Sequence, residues 1–465
     1  IKHTFEKHNI STISCVDYIN NEDYEIINSD CEKIYLALLE NVKLNLACYG
    51  SKSAENMFTY YAFFAFYTIV WNYRLLLNIL SKKQYCKVLT YGLGKNTQSS
   101  PWFFREHKIL HMLLSQVLVK HSIDHVVLKK KDPLNVKLLS STILNKLRQL
   151  MRPFYTLVLK MVSINLKKTC VVLVPTTGKN MHKICTNMSK KYNDIVFFSL
   201  GGGRTVLSEL YNLFVLTKYL VLRKGSYDPN MQSRNVVKLS LSLLTTIEME
   251  ENSKISSISC NKLIIGMREA CIKLRIMDAN ETIKFFENNK IQQIIAYIAY
   301  ERSRSFGLKK ILDICERIDL IISQMSLGLT CELGYLAEKY GIPSMLISHG
   351  SHVLHSELIC RYEHDIICNN ILLGGYRYNA IQTALSREYA LERKTPKKSI
   401  IKIKPIILSS NFKKTQRNGK KLNLLHAGSV KGFGNRNIYE TPNELLETFQ
   451  ETIEILSTCK NINLI

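Results

Sequence analysis

The chain lacks the short signatures that would assign a chemistry outright. It holds no Asp-x-Asp, so a metal-dependent single-domain sugar transferase would be without its usual diphosphate anchor. HExxH, GxSxG and the EF-hand loop are all missing, which argues against a zincin, an α/β-hydrolase and a calcium sensor. Gly201-Gly202-Gly203-Arg204 falls short of a dinucleotide fingerprint because Val206 stands where the last glycine belongs, and a tight turn is the plainer reading. Gly92-Leu93-Gly94-Lys95 lacks the spacing of a phosphate-loop NTPase. No RNA-recognition or zinc-finger signature accompanies the positive charge, so no nucleic-acid partner is expected. The 13 cysteines are scattered singly, with no CxxC pair, and their number is odd. A reduced, cytoplasmic protein without a zinc ribbon or a disulfide framework follows. No apolar segment follows Ile1-Lys2-His3, so no secretory signal is read, and the missing initial Met suggests a start inside a longer gene product. Met57–Trp71 is apolar and aromatic but shorter than the roughly 20 residues of a membrane span, so a buried or interfacial helix is expected.

What is present is a globular composition. At 465 residues, with 46% hydrophobic and 22% charged, two or three domains are expected. The net charge of +25 has two readings. One is a coding bias towards Lys, Asn, Ile and Tyr. The other is attraction to an anion such as acidic lipid, nucleotide phosphate or an acidic polymer. The stretch Arg393 to Lys421 gathers lysines and arginines with no acid, as a solvated linker or an anion-facing segment would.

Residues 1–80 read as mostly helical. From Lys87 apolar runs alternate with helical patterns, which predicts an α/β fold with a parallel sheet. Predicted strands are Val88–Tyr91, Val126–Leu128, Cys170–Val174 and Ile195–Phe198, with an apolar run at Asp365–Leu373. Leu134–Leu166 reads as two helices broken near Pro153. Further helices are expected at 205–222, 238–251, 262–277, 290–315 and 378–393. A new strand–loop–helix begins at Leu422–Leu425, with Thr441 as N-cap, Glu444 completing a capping box, and Ile453 in a buried stripe. Ile462–Ile465 looks like its next strand, and the chain is expected to stop inside that domain. The divisions are a helical segment 1–80, a Rossmann-like domain 81–365, a basic linker 366–421 and the start of a second Rossmann-like domain at 422–465.

The most informative stretch is Ile318 to His352. An apolar strand, Ile318–Ser323, leads to a helix with Leu329, Leu333, Leu336, Ala337 and Tyr340 at spacings of three and four. Gly341 fits a left-handed cap and Pro343 forbids continuation. A second strand, Met345–Ile347, ends in Ser348-His349-Gly350. Strand, helix and strand make a βαβ unit with parallel strands, and ligands of open parallel sheets bind beyond the carboxyl ends of the strands. His349 is therefore a candidate general base for an attacking hydroxyl, beside a Gly350 that admits close approach. His352 and His355 could orient a substrate or bind phosphate. Without that topology, His349 would read as a structural loop histidine.

Two other loops are candidates. Thr176 and Thr177, after the strand Cys170–Val174, could line a cleft. The loop His426–Arg436, with Gly428, Ser429, Lys431 and Arg436 ahead of a helix, could hold a donor phosphate, or be only a connection.

The segment Gly341-Ile342-Pro343-Ser344-Met345-Leu346-Ile347-Ser348-His349-Gly350 resembles one found in bacterial capsule and lipopolysaccharide glycosyltransferases of the GT-B type and, more distantly, in CDP-glycerol glycerophosphotransferases. Leu424 to Gly432 with Tyr439-Glu440-Thr441-Pro442 looks like the opening of their second domain. The resemblance implies two Rossmann-like domains, an acceptor in the first and a nucleotide-activated donor in the second. It implies no cofactor and no obligatory metal, and gives His349 the part of general base. It also implies that most donor-diphosphate contacts lie beyond residue 465. A saccharide or lipid-linked acceptor would bring the protein to anionic lipid at the inner membrane face. The alternatives are a polyol-phosphate transferase, a sugar epimerase of the same fold, and a non-catalytic membrane- or anion-binding protein.

Overall fold

The computed structural model describes residues 18–46, 52–82, 87–92, 121–129, 141–166, 169–175, 179–192, 194–201, 206–228, 233–245, 257–273, 291–347, 372–403, 422–424 and 462–464, with shorter pieces within 113–119, 284–287 and 450–458. Helices α1 (Asn21–Leu46) and α2 (Lys52–Lys82) come first, followed by strands β1 (Lys87–Gly92) and β2 (Asp124–Lys129). Helix α3 (Ser141–Asn165), β3 (Cys170–Val174), α4 (Lys179–Lys191), β4 (Ile195–Gly201), α5 (Val206–Leu222), β5 (Ser226–Asp228) and β6 (Ser233–Ser240) follow. Then come α6 (Ser257–Lys273), α7 (Gln292–Ile314), β7 (Leu320–Ser323), α8 (Leu329–Lys339) and β8 (Ser344–Ile347). The series closes with β9 (Tyr378–Ile381), α9 (Ala384–Glu392), β10 (Ile400–Lys402), β11 (Leu422–Leu424) and β12 (Ile462–Leu464).

An 8-stranded sheet in the order β10-β9-β8-β7-β3-β4-β6-β5 organises the fold. Every neighbouring pair is parallel except β5 with β6. Its strands are apolar on both faces because both faces are covered. Val171, Leu173, Phe198, Val237, Leu239, Ile321 and Leu346 pack with α3, α5, α8 and the second half of α7. The alternate positions Val172, Val174, Phe197, Val236, Ile322 and Ile347 turn to the other face, against Met181 and Cys185 of α4. The period of two along each strand thus feeds two cores.

A third core is aromatic and lies in the N-terminal layer. Phe58, Phe63, Phe66, Ile69 and Trp71 of α2 pack with Ile27, Ile34 and Leu38 of α1, Leu263 and Met267 of α6, and Ile291, Ile294 and Ile298 at the start of α7. Phe66 stacks on Phe286 with ring centroids 4.1 Å apart. α2 is the one described helix long and apolar enough to cross a membrane, but 72% of that window is buried inside the protein. The aromatic run is therefore a core helix, not an interfacial one. Arg74 points inward to Asp23 at 2.7 Å. Asp23 and Asn20 also exchange hydrogen bonds at the start of α1, where the Asn20 N–H reaches the Asp23 carboxylate at 3.1 Å and the Asp23 N–H reaches Asn20 Oδ1 at 2.8 Å.

Several expected boundaries move. α3 is a single helix with Pro153 inside it. Pro153 and Gln149 are both exposed, so the carbonyl that loses its helical donor lies on the water side and the helix survives. The helix expected from 238 is absent at its start, because Val236–Leu239 lie in β6 and pair with β4. The sheet does not stop at 365. Tyr378–Ile381, expected to open a helix, is β9, and β10 joins it from within the stretch expected to be a linker. β1 and β2 pair in parallel with each other in a separate two-stranded sheet. β11 and β12 form another parallel pair, and Ile453, expected in a buried stripe, is exposed. What stands plainly is an α/β protein whose main sheet has seven parallel strands.

Candidate functional site

The unit β7–α8–β8 forms where the sequence places it, with Gly341 at φ 67 as the turn out of α8. β8 lies between β7 and β9, parallel to both. Its last residue, Ile347, stands two positions before His349. The ends of β9, β8, β7 and β3 are consecutive along one edge of the sheet. From them depart Gln382-Thr383, Ser348-His349-Gly350, Gln324–Gly328 and Pro175-Thr176-Thr177. The topology thus brings together the strand ends that feed the His349 and Thr176–Thr177 segments, one strand apart. The side chains of Thr176, Thr177, His349, Gly350, His352, Gly428, Ser429, Lys431 and Arg436 themselves lie outside the described residues.

The loop from β7 into α8 is described throughout, as are Pro175, Gln382 and Thr383. Ser323 Oγ donates to the Met325 carbonyl at 2.6 Å and accepts from the Met325 N–H at 3.3 Å, which folds the chain back at the strand end. Thr330 Oγ1 accepts from the Leu327 N–H at 3.1 Å and donates to the Leu327 carbonyl at 2.9 Å. The Tyr376 hydroxyl, buried beneath, donates to the Thr330 carbonyl at 2.7 Å. Burial raises its pKa, so it stays a neutral donor.

Glu301, on α7, completes the loop. Its carboxylate is buried, accepts the Leu329 N–H at 3.0 Å and is paired with Arg304 at 2.8 Å. An acid there satisfies one of the orphan N–H groups of α8 and complements the helix dipole. Gly328 sits against it at φ 60, where an added Cβ would lie 2.9 Å from Glu301 Oε2. The Gly328 carbonyl accepts from Ser53 Oγ of α2 at 2.9 Å, tying the N-terminal layer to the sheet edge.

Between these groups is a cavity of about 180 Å³. α2 contributes Ser53 and Met57, α7 contributes Glu301, Arg302 and Ser305, and the α8 region contributes Gly328 and Glu332. Two carboxylates, one guanidinium and two hydroxyls offer donors and acceptors of both kinds, which suits a small hydroxylated group. The helix N-terminus is already taken by Glu301, so this cavity is a poor seat for a phosphate. Sequence reasoning missed Glu301. The only local hint is the unbroken polar run Glu301-Arg302-Ser303-Arg304-Ser305 in the middle of the helix. Among the described residues, no group of three His, Cys, Asp or Glu is gathered as a metal site would need.

Set against protein-family models, curated proteins and solved structures, the chain matches none of them.

Proposed function

We propose that the chain is a transferase of the two-lobed GT-B type, moving a sugar from a nucleotide-activated donor to a hydroxyl acceptor in cell-surface polysaccharide assembly. One observation carries the reading. β8, inside a parallel sheet, runs out at the carboxyl edge two residues ahead of His349, and that edge is where open α/β sheets hold their ligands. The cavity under the α8 N-terminus supports the same side as the acceptor side, since its lining matches hydroxyls better than phosphates. The separate parallel pair β11–β12 is what the opening of a second, donor-binding lobe would supply.

In this mechanism His349 accepts the proton of the acceptor hydroxyl as its oxygen attacks the activated carbon of the donor. The nucleoside diphosphate leaves towards the loop carrying Gly428, Ser429, Lys431 and Arg436, whose positive charge offsets the charge developing on it. Replacing His349 with Ala in the full-length protein should lower turnover by about a hundredfold or more, with donor affinity little changed. Near-normal turnover in His349→Ala would remove the residue from the mechanism. Nucleotide sugars assayed in parallel with CDP-glycerol separate this reading from a polyol-phosphate transferase, and product analysis by NMR separates it from an epimerase.

A further inference from the structure

α3 and α5 lie side by side on one face of the sheet, with Tyr155, Leu159, Val162, Leu216 and Tyr219 turned inward. Their outward faces are apolar as well. On α3, Leu150, Phe154, Leu157, Met161 and Ile164 recur at spacings of three and four and are all exposed. On α5, Leu207, Leu210, Phe214 and Val221, at spacings of three, four and seven, are exposed too. Two neighbouring helices therefore group their exposed large apolar side chains instead of scattering them singly.

The charge around this face, among the described residues, is mainly positive, the exposed Glu316, whose backbone N–H reaches Ser163 Oγ of α3 at 3.3 Å, being an exception. α3 contains no acidic residue, and the single acid of α5, Glu209, is buried under Arg148 and the hydroxyls of Ser240 and Ser242. Lys146 and Lys160 on α3, and Arg223 and Lys224 just past α5, are exposed. A groove of about 460 Å³ beside the apolar stripe is lined by Arg152, Pro153, Thr156, Leu157, Lys160 and Lys310. Asp313, exposed near the end of α7, accepts from the Tyr340 hydroxyl. Exposed Phe and Leu flanked by cations are what an interfacial surface needs to sink into the headgroup region of an acidic bilayer.

We infer that the α3–α5 face docks the protein onto an anionic lipid surface, with Phe154, Leu157 and Phe214 entering the headgroup layer and lipid phosphates reaching Lys160 and Lys310 in the groove, where Arg152 is bonded to the Leu243 and Thr245 carbonyls. The aromatic helix α2, buried in its own core, takes no part. The inference does not depend on the transferase reading.

The test is co-sedimentation of the intact protein with phosphatidylcholine vesicles, with and without phosphatidylglycerol. Binding is expected to the mixed vesicles, to fall with added salt, and to be weak on pure phosphatidylcholine. Phe154 is 51% and Phe214 63% exposed, so the double variant Phe154→Ser/Phe214→Ser should unfold as the parent does. It should bind the mixed vesicles at least about tenfold more weakly. An environment-sensitive dye on Leu157→Cys should shift to the blue with the mixed vesicles. Equal binding by parent and double variant would overturn the inference, because the charge alone, including the basic stretch from Arg393, would then suffice. Failure of the parent to bind either vesicle would overturn it too. Self-association in analytical ultracentrifugation that the double variant abolishes, without vesicle binding, would assign the face to a second copy instead.

Discussion

Glu301 should hold the sheet edge in shape, and its replacement separates that role from mere packing. In Glu301→Ala the Leu329 N–H loses its acceptor while remaining buried. An unsatisfied buried donor costs about 1–3 kcal/mol. Loss of an acid from a partly buried helix N-terminus adds about 0.3–1 kcal/mol. Arg304 loses its ion pair, but its side chain is 23% exposed and its guanidinium also lies 5.4 Å from the Tyr300 ring, so this loss is small. The truncated side chain also enlarges the adjoining cavity, and a water entering there would recover part of the hydrogen bond. The expected destabilisation is about 2–3 kcal/mol. Glu301→Gln keeps an acceptor and loses only the charge, so about 1 kcal/mol is expected. Urea unfolding followed by the fluorescence of buried Trp71 reads both values. An Ala variant within about 0.5 kcal/mol of the parent, or a Gln variant as damaged as Ala, would refute the reasoning.

Three further expectations follow from the same kind of argument. Burial pushes the Asp23 carboxyl up, but hydrogen bonds from the Asn20 backbone, Arg74 and Asn78 outweigh it and hold the group below its ordinary value of 3.8. A lowered folded pKa gives stability that is present above the unfolded value and lost as pH falls through the folded one. Urea midpoints should therefore drop below about pH 4, and Asp23→Asn should flatten that drop while costing stability at neutral pH; an unchanged acid slope would count against it. Gly334, inside α8, packs so closely that an added Cβ would lie 2.5 Å from the Gly375 carbonyl oxygen. Ala there gains about 1 kcal/mol of helix propensity but must displace backbone, so a net loss of about 1–2 kcal/mol is expected by chemical denaturation. Gly341→Ala meets no neighbour within 4 Å, yet its φ of 67 disfavours any side chain, and a loss of about 1 kcal/mol is expected on the same assay.

The β7–α8–β8 unit was legible because each of its signals is local. Both strands are short and apolar, the helix repeats its leucines at three and four, and Gly341-Ile342-Pro343 ends it. β6 was not legible. Val236-Val237-Lys238-Leu239-Ser240-Leu241 satisfies strand and helix patterns alike, and what decides is the pairing with β4, whose residues lie some way back in the chain. The aromatic run of α2 could equally have faced lipid. Partners from α1, α6 and α7 cover it, and only α1 is near in sequence. At the site, the position of β8 in the sheet could be read, whereas Glu301 could not. Its meaning comes from contact with Leu329, 28 residues on, and nothing beside it announces that contact.

α7 ties these parts together mechanically. Its 23 residues form a rod of about 34 Å. Ile294 and Ile298 are clamped in the aromatic block, while Leu308 and Ile311 are clamped against the sheet. The polar turn between the two clamps carries Glu301. One unbroken helix therefore enters both cores. A displacement of the aromatic block would reach the sheet's rim by two routes, along this helix to the carboxylate that holds the first turn of α8 and across the Ser53–Gly328 hydrogen bond.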